Sequence, residues 1–82
     1  RVHVVHDSRR LVTAVGTTVT LLAVGGSAHV RRTAGLRWPL VDEVLSPTAT
    51  RGVSNVAEAT DIEVSLVSGT VLVLIPPPSA ER

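Results

Sequence analysis

The apolar run TVLVLI at residues 70–75, which is followed by Pro76, Pro77 and Pro78, constrains the fold more than any other stretch. A β-strand that is covered on both faces shows such continuous apolar character, whereas a membrane-spanning helix needs about 20 apolar residues. Proline ends a strand because it donates no hydrogen bond to a neighbouring strand. The run therefore predicts a central β-strand, or a strand that meets another subunit.

The composition extends this prediction to the whole chain. Valine, threonine and isoleucine together make up 27 of the 82 residues, and β-branched side chains favour strands over helices. Phe, Tyr, Met and Cys are absent, and Trp38 is the single aromatic residue. We expect an all-β or mostly β fold, a small antiparallel barrel or sandwich of five to six strands. Residues 1–75 would form one β-rich domain, followed by an extended proline-rich tail over 76–82.

Two dipeptides that contain glycine predict β-hairpins. Gly16–Thr17 would pair residues 12–15 with 18–21, and Ser68–Gly69 would pair residues 62–67 with 70–75. Two further short strands are expected at residues 1–6 and 28–32. In the second hairpin, one face carries only apolar residues, which would lie side by side on one sheet. They are Ile62, Val64, Leu66, Val71, Val73 and Ile75.

One short helix is expected near residues 40–45. Leu40, Val41, Val44 and Leu45 have the spacing of one helix face, and Ser46–Pro47 would end the segment. Residues 48–61 are predicted to form a loop, with a single helical turn that begins at Ser54 or Asn55.

Charge is divided unevenly along the chain. Residues 1–40 carry six arginines and one aspartate, whereas residues 41–82 carry two arginines and six acidic residues. If each half folds into its own face, the molecule has a positive and a negative side suited to head-to-tail association. If the strands interleave, the charges mix. All eight basic residues are arginine, which indicates a GC-rich coding sequence.

Residues 11–30 contain no charged residue and lie between two arginine pairs, a length that would span a bilayer. The stretch is rich in threonine and glycine, and both of its ends are basic, so neither end is marked as the cytoplasmic side. A single-pass membrane peptide over residues 11–30 is therefore the less favoured interpretation.

The sequence shows no pattern typical of a catalytic or metal site. His3 and His6 would lie on opposite faces of a strand, and His29 stands alone among apolar residues. No G-x-S-x-G motif, phosphate-binding glycine loop or cysteine nucleophile is present. We therefore expect no catalytic residue, no cofactor, no metal and no enzymatic activity.

These observations lead to the hypothesis of a non-enzymatic structural or interaction module, one subunit of a homo- or hetero-oligomeric assembly. A virion shell, decoration or tail-joining component is an example, and the expected setting is a soluble protein in a virus particle or other large assembly. The expected partners are copies of itself or other protein subunits, with no small-molecule substrate. The residues assigned to the interface are Trp38, Arg37, Leu72, Leu74, Pro76, Pro77 and Pro78.

The alternative function is a nucleic-acid-binding small barrel, in which arginine clusters contact phosphates. The residues assigned to that surface are Arg9, Arg10, Arg31, Arg32 and Arg37. Trp38 has two interpretations of its own, a plug in the core or an anchor at an interface.

Overall fold

The computed structural model describes residues 1–47 and 53–76, which form two four-stranded antiparallel sheets and confirm the all-β fold. Eight strands follow one another in these residues, more than the five or six expected. They are β1 (Val2–Val5), β2 (Ser8–Val12), β3 (Thr18–Ala23), β4 (Ala28–Ala34), β5 (Val41–Leu45), β6 (Val53–Val56), β7 (Asp61–Ser68) and β8 (Val71–Leu74).

The chain changes sheet at almost every connection. Sheet A has the strand order β1-β8-β3-β6, and sheet B has the order β2-β7-β4-β5. Among the described strands, β4 and β5 are the one consecutive pair that also pairs in a sheet. Most strand pairs therefore join distant parts of the sequence, and the two sheets are held together by their shared core.

The core lies between the two sheets and consists of aliphatic side chains. Alternation along each strand directs every second residue inward, as in the burial of Ile62, Val64 and Leu66 on β7. The buried apolar residues are Val5, Leu11, Val19, Leu21, Ala28, Val30, Leu36, Leu45, Ala57, Ile62, Val64, Leu66, Val71, Val73 and Ile75.

Both predicted hairpins are wrong, although both turns exist. β7 belongs to sheet B and β8 to sheet A, so the turn at Gly69 carries the chain across the sandwich. The six apolar residues assigned to the second hairpin are all buried, but they meet across the core rather than side by side. The turn at Gly16 likewise joins β2 in sheet B to β3 in sheet A. A glycine turn between two alternating segments fits either arrangement, so the sequence pattern does not distinguish them.

Gly69 is required by both conformation and packing. Its φ angle is +89°, a region that residues with a Cβ rarely adopt. A Cβ at this position would lie 2.6 Å from the Cα atom of Ala28, inside van der Waals contact.

The prediction that residues 70–75 form a central strand is confirmed. β8 pairs with β1 on one side and β3 on the other. Val71 and Val73 are buried in the core, whereas Leu72 and Leu74 are half-buried on the outer face of sheet A.

The helix expected near residues 40–45 is wrong, because this segment forms β5 at the edge of sheet B. Pairing with β4 satisfies its backbone groups on one side, and its β-branched valines suit a strand. Only Leu45 of β5 is buried, while Val41 and Val44 are 65% and 64% exposed. The helical turn expected at Ser54 or Asn55 is also wrong, because both residues lie in β6.

The strands of opposite charge interleave in sheet B. Arg10 of β2 pairs with Glu63 of β7, and β4, which carries Arg31 and Arg32, lies between the acidic strands β7 and β5. The charges therefore mix within one sheet instead of dividing the molecule into a positive and a negative face.

Residues 11–30 contribute to β2, β3 and β4, so the membrane-peptide interpretation of this stretch is wrong. Within the described residues, no helix has the length and apolar character needed to cross a membrane. Beyond Pro76, which is exposed, the predicted tail over 76–82 lies outside the described residues, as do Pro77 and Pro78.

Candidate ligand-binding site

Trp38 lies in the connection between β4 and β5, and its side chain is 56% exposed. The interpretation of Trp38 as a core plug is therefore wrong. An indole on the surface exposes a large apolar face to water, and tryptophan is enriched where proteins contact other molecules.

The side chain of Asn55, which is buried, holds the backbone of Trp38 on both sides. The Trp38 N–H donates to Asn55 Oδ1 at 3.0 Å, and Asn55 Nδ2 donates to the Trp38 carbonyl at 2.6 Å. The Val56 N–H also donates to Asn55 Oδ1, at 3.0 Å. The carboxamide thus pairs with Trp38 as a neighbouring strand would, and fixes the point from which the indole projects.

Thr33 holds the far end of the same connection. Its N–H donates to the carbonyl of Leu40 at 3.0 Å, and its hydroxyl accepts from the Leu40 N–H at 3.0 Å. Within the described residues, Thr33 and Asn55 are the polar side chains that are buried. Burying a polar group is costly unless it is hydrogen-bonded, and both of these groups are used to position residues 38–40.

Backbone pairing fixes the start of the connection. Leu36 forms an antiparallel bridge with Ala57, and the Arg37 N–H donates to the Val56 carbonyl at 2.8 Å. The segment before Trp38 therefore runs beside the end of β6 as a short additional strand. The side chain of Trp38 is exposed, but the backbone is held by hydrogen bonds or strand pairing at Leu36, Arg37 and Trp38.

Charged groups flank the indole ring. The Arg37 guanidinium lies over Trp38 with its Cζ atom 5.5 Å from the ring centroid, within range of a cation–π interaction. Arg37 Nε donates to Glu58 Oε2 at 2.9 Å, and both side chains are about half exposed. The site therefore combines an aromatic surface, a cation and a carboxylate at the sandwich surface. We name Trp38, Arg37, Glu58, Asn55 and Thr33 together the Trp38 site.

The structure separates the arginines assigned to nucleic-acid binding. Arg31 and Arg32 line one cleft on sheet B, whereas Arg37 belongs to the Trp38 site. Arg9 donates to the Val4 carbonyl at 3.1 Å, and Arg10 faces Glu63. Acidic neighbours therefore interrupt the basic surface that this alternative requires.

The residues assigned to an interface lie apart. Trp38 and Arg37 are in the β4–β5 connection, while Leu72 and Leu74 lie on the outer face of sheet A with Pro76 just beyond β8. Their assignment to an interface stays a prediction.

The histidines do not gather. His29 Nε2 contacts Asp42 Oδ1 across β4 and β5, and His6 Nδ1 lies 3.2 Å from the Thr70 hydroxyl. In the part of the chain that the structure describes, no three His, Cys, Asp or Glu residues are placed to hold a metal ion. The pKa of His3 is lowered by burial and by the positive charges of Arg9, the N-terminus and Arg1.

The sequence pattern predicts a role in binding for Trp38 and Arg37 but indicates none for Asn55 and Thr33. Asn55 is the single carboxamide side chain of the chain, and it lies in the strand VSNV. A polar residue at an inward position of a strand is a signal of a buried hydrogen-bonding role, but the sequence predicts a loop over residues 48–61 and so hides this signal.

Solved structures identify the class of the fold. Crystal structures of two thiamin pyrophosphokinases contain a domain like this sandwich. The enzyme from Geobacillus thermodenitrificans aligns with a TM-score of 0.79 and 16% identity over 96% of this chain and 38% of that chain. The enzyme from Bacillus subtilis aligns with a TM-score of 0.78 and 12% identity over 95% of this chain and 37% of that chain. The chain thus spans less than two fifths of the length of these enzymes.

A family model places the chain more specifically. The model of the thiamin pyrophosphokinase, vitamin B1 binding domain, matches residues 2–71. The chain belongs to this family. A comparison with curated proteins finds no match.

The family corrects the functional hypothesis. The expected non-enzymatic assembly subunit, including its virion examples, is wrong, because the chain belongs to a family of domains from an enzyme. The nucleic-acid alternative is not supported, and the expectation of no enzymatic role is wrong. The expectation of no small-molecule substrate is also wrong, because the family is described by the binding of vitamin B1. A β-rich chain with no recognisable polar motif suits an assembly subunit as well as a vitamin-binding domain, so the composition did not distinguish these two functions.

Proposed function

We propose that this chain binds thiamin at the Trp38 site, as the vitamin-binding portion of a thiamin pyrophosphokinase. The family match supports the ligand, and the exposed indole on a fixed connection supports the location. The observation that carries the proposal is the use of the buried side chains of Asn55 and Thr33 to hold the segment that presents Trp38.

The chemistry of thiamin suits this surface. Thiamin has two flat aromatic rings, an aminopyrimidine and a positively charged thiazolium. Tryptophan is the strongest aromatic partner for a cation, and the interaction stabilises by about 0.5–2 kcal/mol, depending on exposure. The Arg37 guanidinium occupies a cation position over the indole of Trp38 and is ion-paired to Glu58, so the thiazolium would take the place of Arg37 on the ring or stack on the other ring face.

Rigidity contributes to binding in addition to contact. A flexible surface loop must be ordered when a ligand binds, at a cost of about 0.5–1.5 kcal/mol for each immobilised side chain. Hydrogen bonds to Trp38 and Leu40 order this connection before the ligand arrives. We therefore expect the indole to be in its binding position in the free protein.

We assign binding and orientation of thiamin to this chain. The diphosphate transfer that the family name describes would be completed by other parts of a longer protein. The described residues would hold the aromatic rings of thiamin.

Trp38 fluorescence tests this proposal directly, because the chain has no other aromatic residue. Titration with thiamin should quench the emission in a saturable manner. The Trp38→Leu variant, measured by calorimetry, should bind thiamin about tenfold more weakly, as the loss of a cation–π contact implies. Val67→Ala is the control, because Val67 is an exposed apolar residue at the end of β7 that lies away from Glu58 and the Trp38 site. Unchanged affinity of Trp38→Leu would refute the location of the site.

A further inference from the structure

A second cleft lies on sheet B, separate from the Trp38 site. Its volume is about 340 Å³, at the lower end of the range for small-molecule pockets. The polar residues that line it are Asp7, Ser8, Arg31, Arg32, Glu63 and Ser65. None of them belongs to the Trp38 site.

A β-bulge brings two consecutive arginines to this cleft. In a regular strand, Arg31 and Arg32 would point to opposite faces of the sheet. In β4, the pairing with β7 shifts between Val30 and Arg32, which leaves Arg31 as the additional residue. Both side chains are exposed and line the same cleft. Bulges commonly redirect side chains beside functional sites.

The charged groups of the cleft do not neutralise one another by direct contact. Arg31 and Arg32 contribute two positive charges, and Asp7 and Glu63 contribute two negative charges. The ion pairs within the described residues are His29–Asp42 and Arg37–Glu58, so none of these four groups is paired. Guanidinium donors and carboxylate acceptors therefore remain available in one small volume.

Two hydroxyl groups and a fixed backbone complete the cleft. Ser8 and Ser65 are directly opposite in the β2–β7 pair, and their Oγ atoms lie 3.2 Å apart. The Leu66 N–H donates to the Asp7 carbonyl at 2.6 Å, and this hydrogen bond fixes the backbone of Asp7 at the rim of the cleft. The polar groups are thus carried by paired strands and a hydrogen-bonded turn.

We infer that this cleft binds a small amphoteric molecule, one that carries both an anionic oxygen group and an amino group. A phosphate or carboxylate accepts hydrogen bonds from Arg31 and Arg32, because guanidinium groups match the geometry of such oxygens. The amino group lies against the carboxylates of Asp7 and Glu63. This inference goes beyond the thiamin proposal and does not depend on it.

An NMR titration of the chain with phosphoethanolamine tests the inference. We expect saturable shifts of the backbone amides of Asp7, Ser8, Arg31, Arg32 and Ser65. Inorganic phosphate alone and ethanolamine alone should each bind more weakly than phosphoethanolamine. Absence of saturable shifts would overturn the inference. Equal binding of phosphate alone would overturn the amphoteric assignment, because the carboxylates would then take no part.

Variants separate the cleft from general charge effects. Replacement of both arginines, Arg31→Gln with Arg32→Gln, should weaken phosphoethanolamine binding roughly tenfold, as expected for exposed charged hydrogen bonds. Arg10→Gln is the matched control, because Arg10 faces Glu63 on the same sheet but does not line the cleft. It should change the affinity less than about threefold.

A third variant keeps the test decisive if the double variant does not fold. Glu63→Gln should weaken phosphoethanolamine binding and leave the binding of inorganic phosphate unchanged or stronger. Unchanged phosphoethanolamine affinity in a folded Glu63→Gln variant would contradict the inference. The thiamin titration of Trp38 fluorescence should be unaffected in all these variants, so failure at one site is distinguishable from failure at the other.

Discussion

The substitution Asn55→Ala removes the side chain that holds the backbone of Trp38. Asn55 is 1% exposed and makes three hydrogen bonds, to the N–H and carbonyl of Trp38 and to the N–H of Val56. Alanine restores none of them. The strand β6 can persist, because its pairing with β3 uses backbone groups.

The cost follows from the hydrogen bonds lost. Each intramolecular hydrogen bond contributes about 1 kcal/mol net, so three contribute about 3 kcal/mol. A domain of this length has a total unfolding free energy of about 4–12 kcal/mol. We therefore expect Asn55→Ala to remove a large fraction of the stability and to lower the melting temperature by about 12–24 °C.

Urea denaturation followed by far-ultraviolet circular dichroism measures this change. Ser54→Ala is the matched control, since Ser54 is the exposed neighbour on the same strand and should change the unfolding free energy by less than about 0.5 kcal/mol. A loss below about 1 kcal/mol for Asn55→Ala, with an unchanged urea dependence, would refute the view that this side chain holds the Trp38 connection. Thiamin affinity of the folded variant should also fall, because the indole is no longer held in place.

Three other predictions follow from the described residues. Gly69→Ala should destabilise the domain by about 2 kcal/mol more than Gly16→Ala. Both glycines have a positive φ, but only a Cβ at Gly69 would meet a neighbouring backbone, so equal losses of unfolding free energy in urea denaturation would contradict this prediction. The lowered pKa of His3 predicts that the contribution of this residue to stability is complete above pH 6.5 and is lost as the pH falls through the lower pKa of the folded state. The His3→Gln variant should lack this part of the pH dependence of the melting temperature. Thr33→Val keeps the side-chain shape but removes a hydroxyl acceptor, so it should cost about 1 kcal/mol in urea denaturation and weaken thiamin binding; a neutral result on both would count against its positioning role.

The strands were largely predictable from local pattern. Alternation and β-branched residues indicate strands at residues 1–6, 28–32 and 70–75, and the structure places β1, β4 and β8 there. The continuous apolar run correctly indicated a central strand, but the core covers only one face of β8 and leaves Leu72 and Leu74 half-buried on the other.

The pairing of strands was not predictable in the same way. Val71 and Ile62 are both inward residues, and this holds whether their strands are neighbours in one sheet or face each other across a sandwich. The turn at Gly69 allows either outcome. Whether the two strands form a hairpin or lie in opposite sheets depends on pairing with strands that are distant in the sequence, such as the β2–β7 and β3–β6 pairs.

The segment at residues 41–45 shows how context overrides spacing. Val41 and Val44 match a helical period, but in the structure they are exposed on an edge strand that is paired to β4. Five residues make too short a helix to bury a useful apolar face, whereas the edge strand gains backbone hydrogen bonds to β4 along one side.

The Trp38 site was only half predictable. Composition identified the single tryptophan and the arginine beside it, but Asn55 and Thr33 act through hydrogen bonds to Trp38 and Leu40 that no spacing rule describes. The ligand class could not come from composition, because an aromatic residue on a β-sandwich suits a protein partner as well as a vitamin.

The most direct test of thiamin binding at the Trp38 site is an NMR titration of the isotope-labelled chain that follows the side-chain N–H of Trp38. The single indole of the chain has one such resonance, so its assignment is unambiguous. We predict a saturable shift of this resonance with thiamin, accompanied by shifts of the amides of Arg37, Val56 and Glu58. Saturable shifts confined to the cleft of Arg31 and Arg32, with an unmoved indole resonance, would contradict the account.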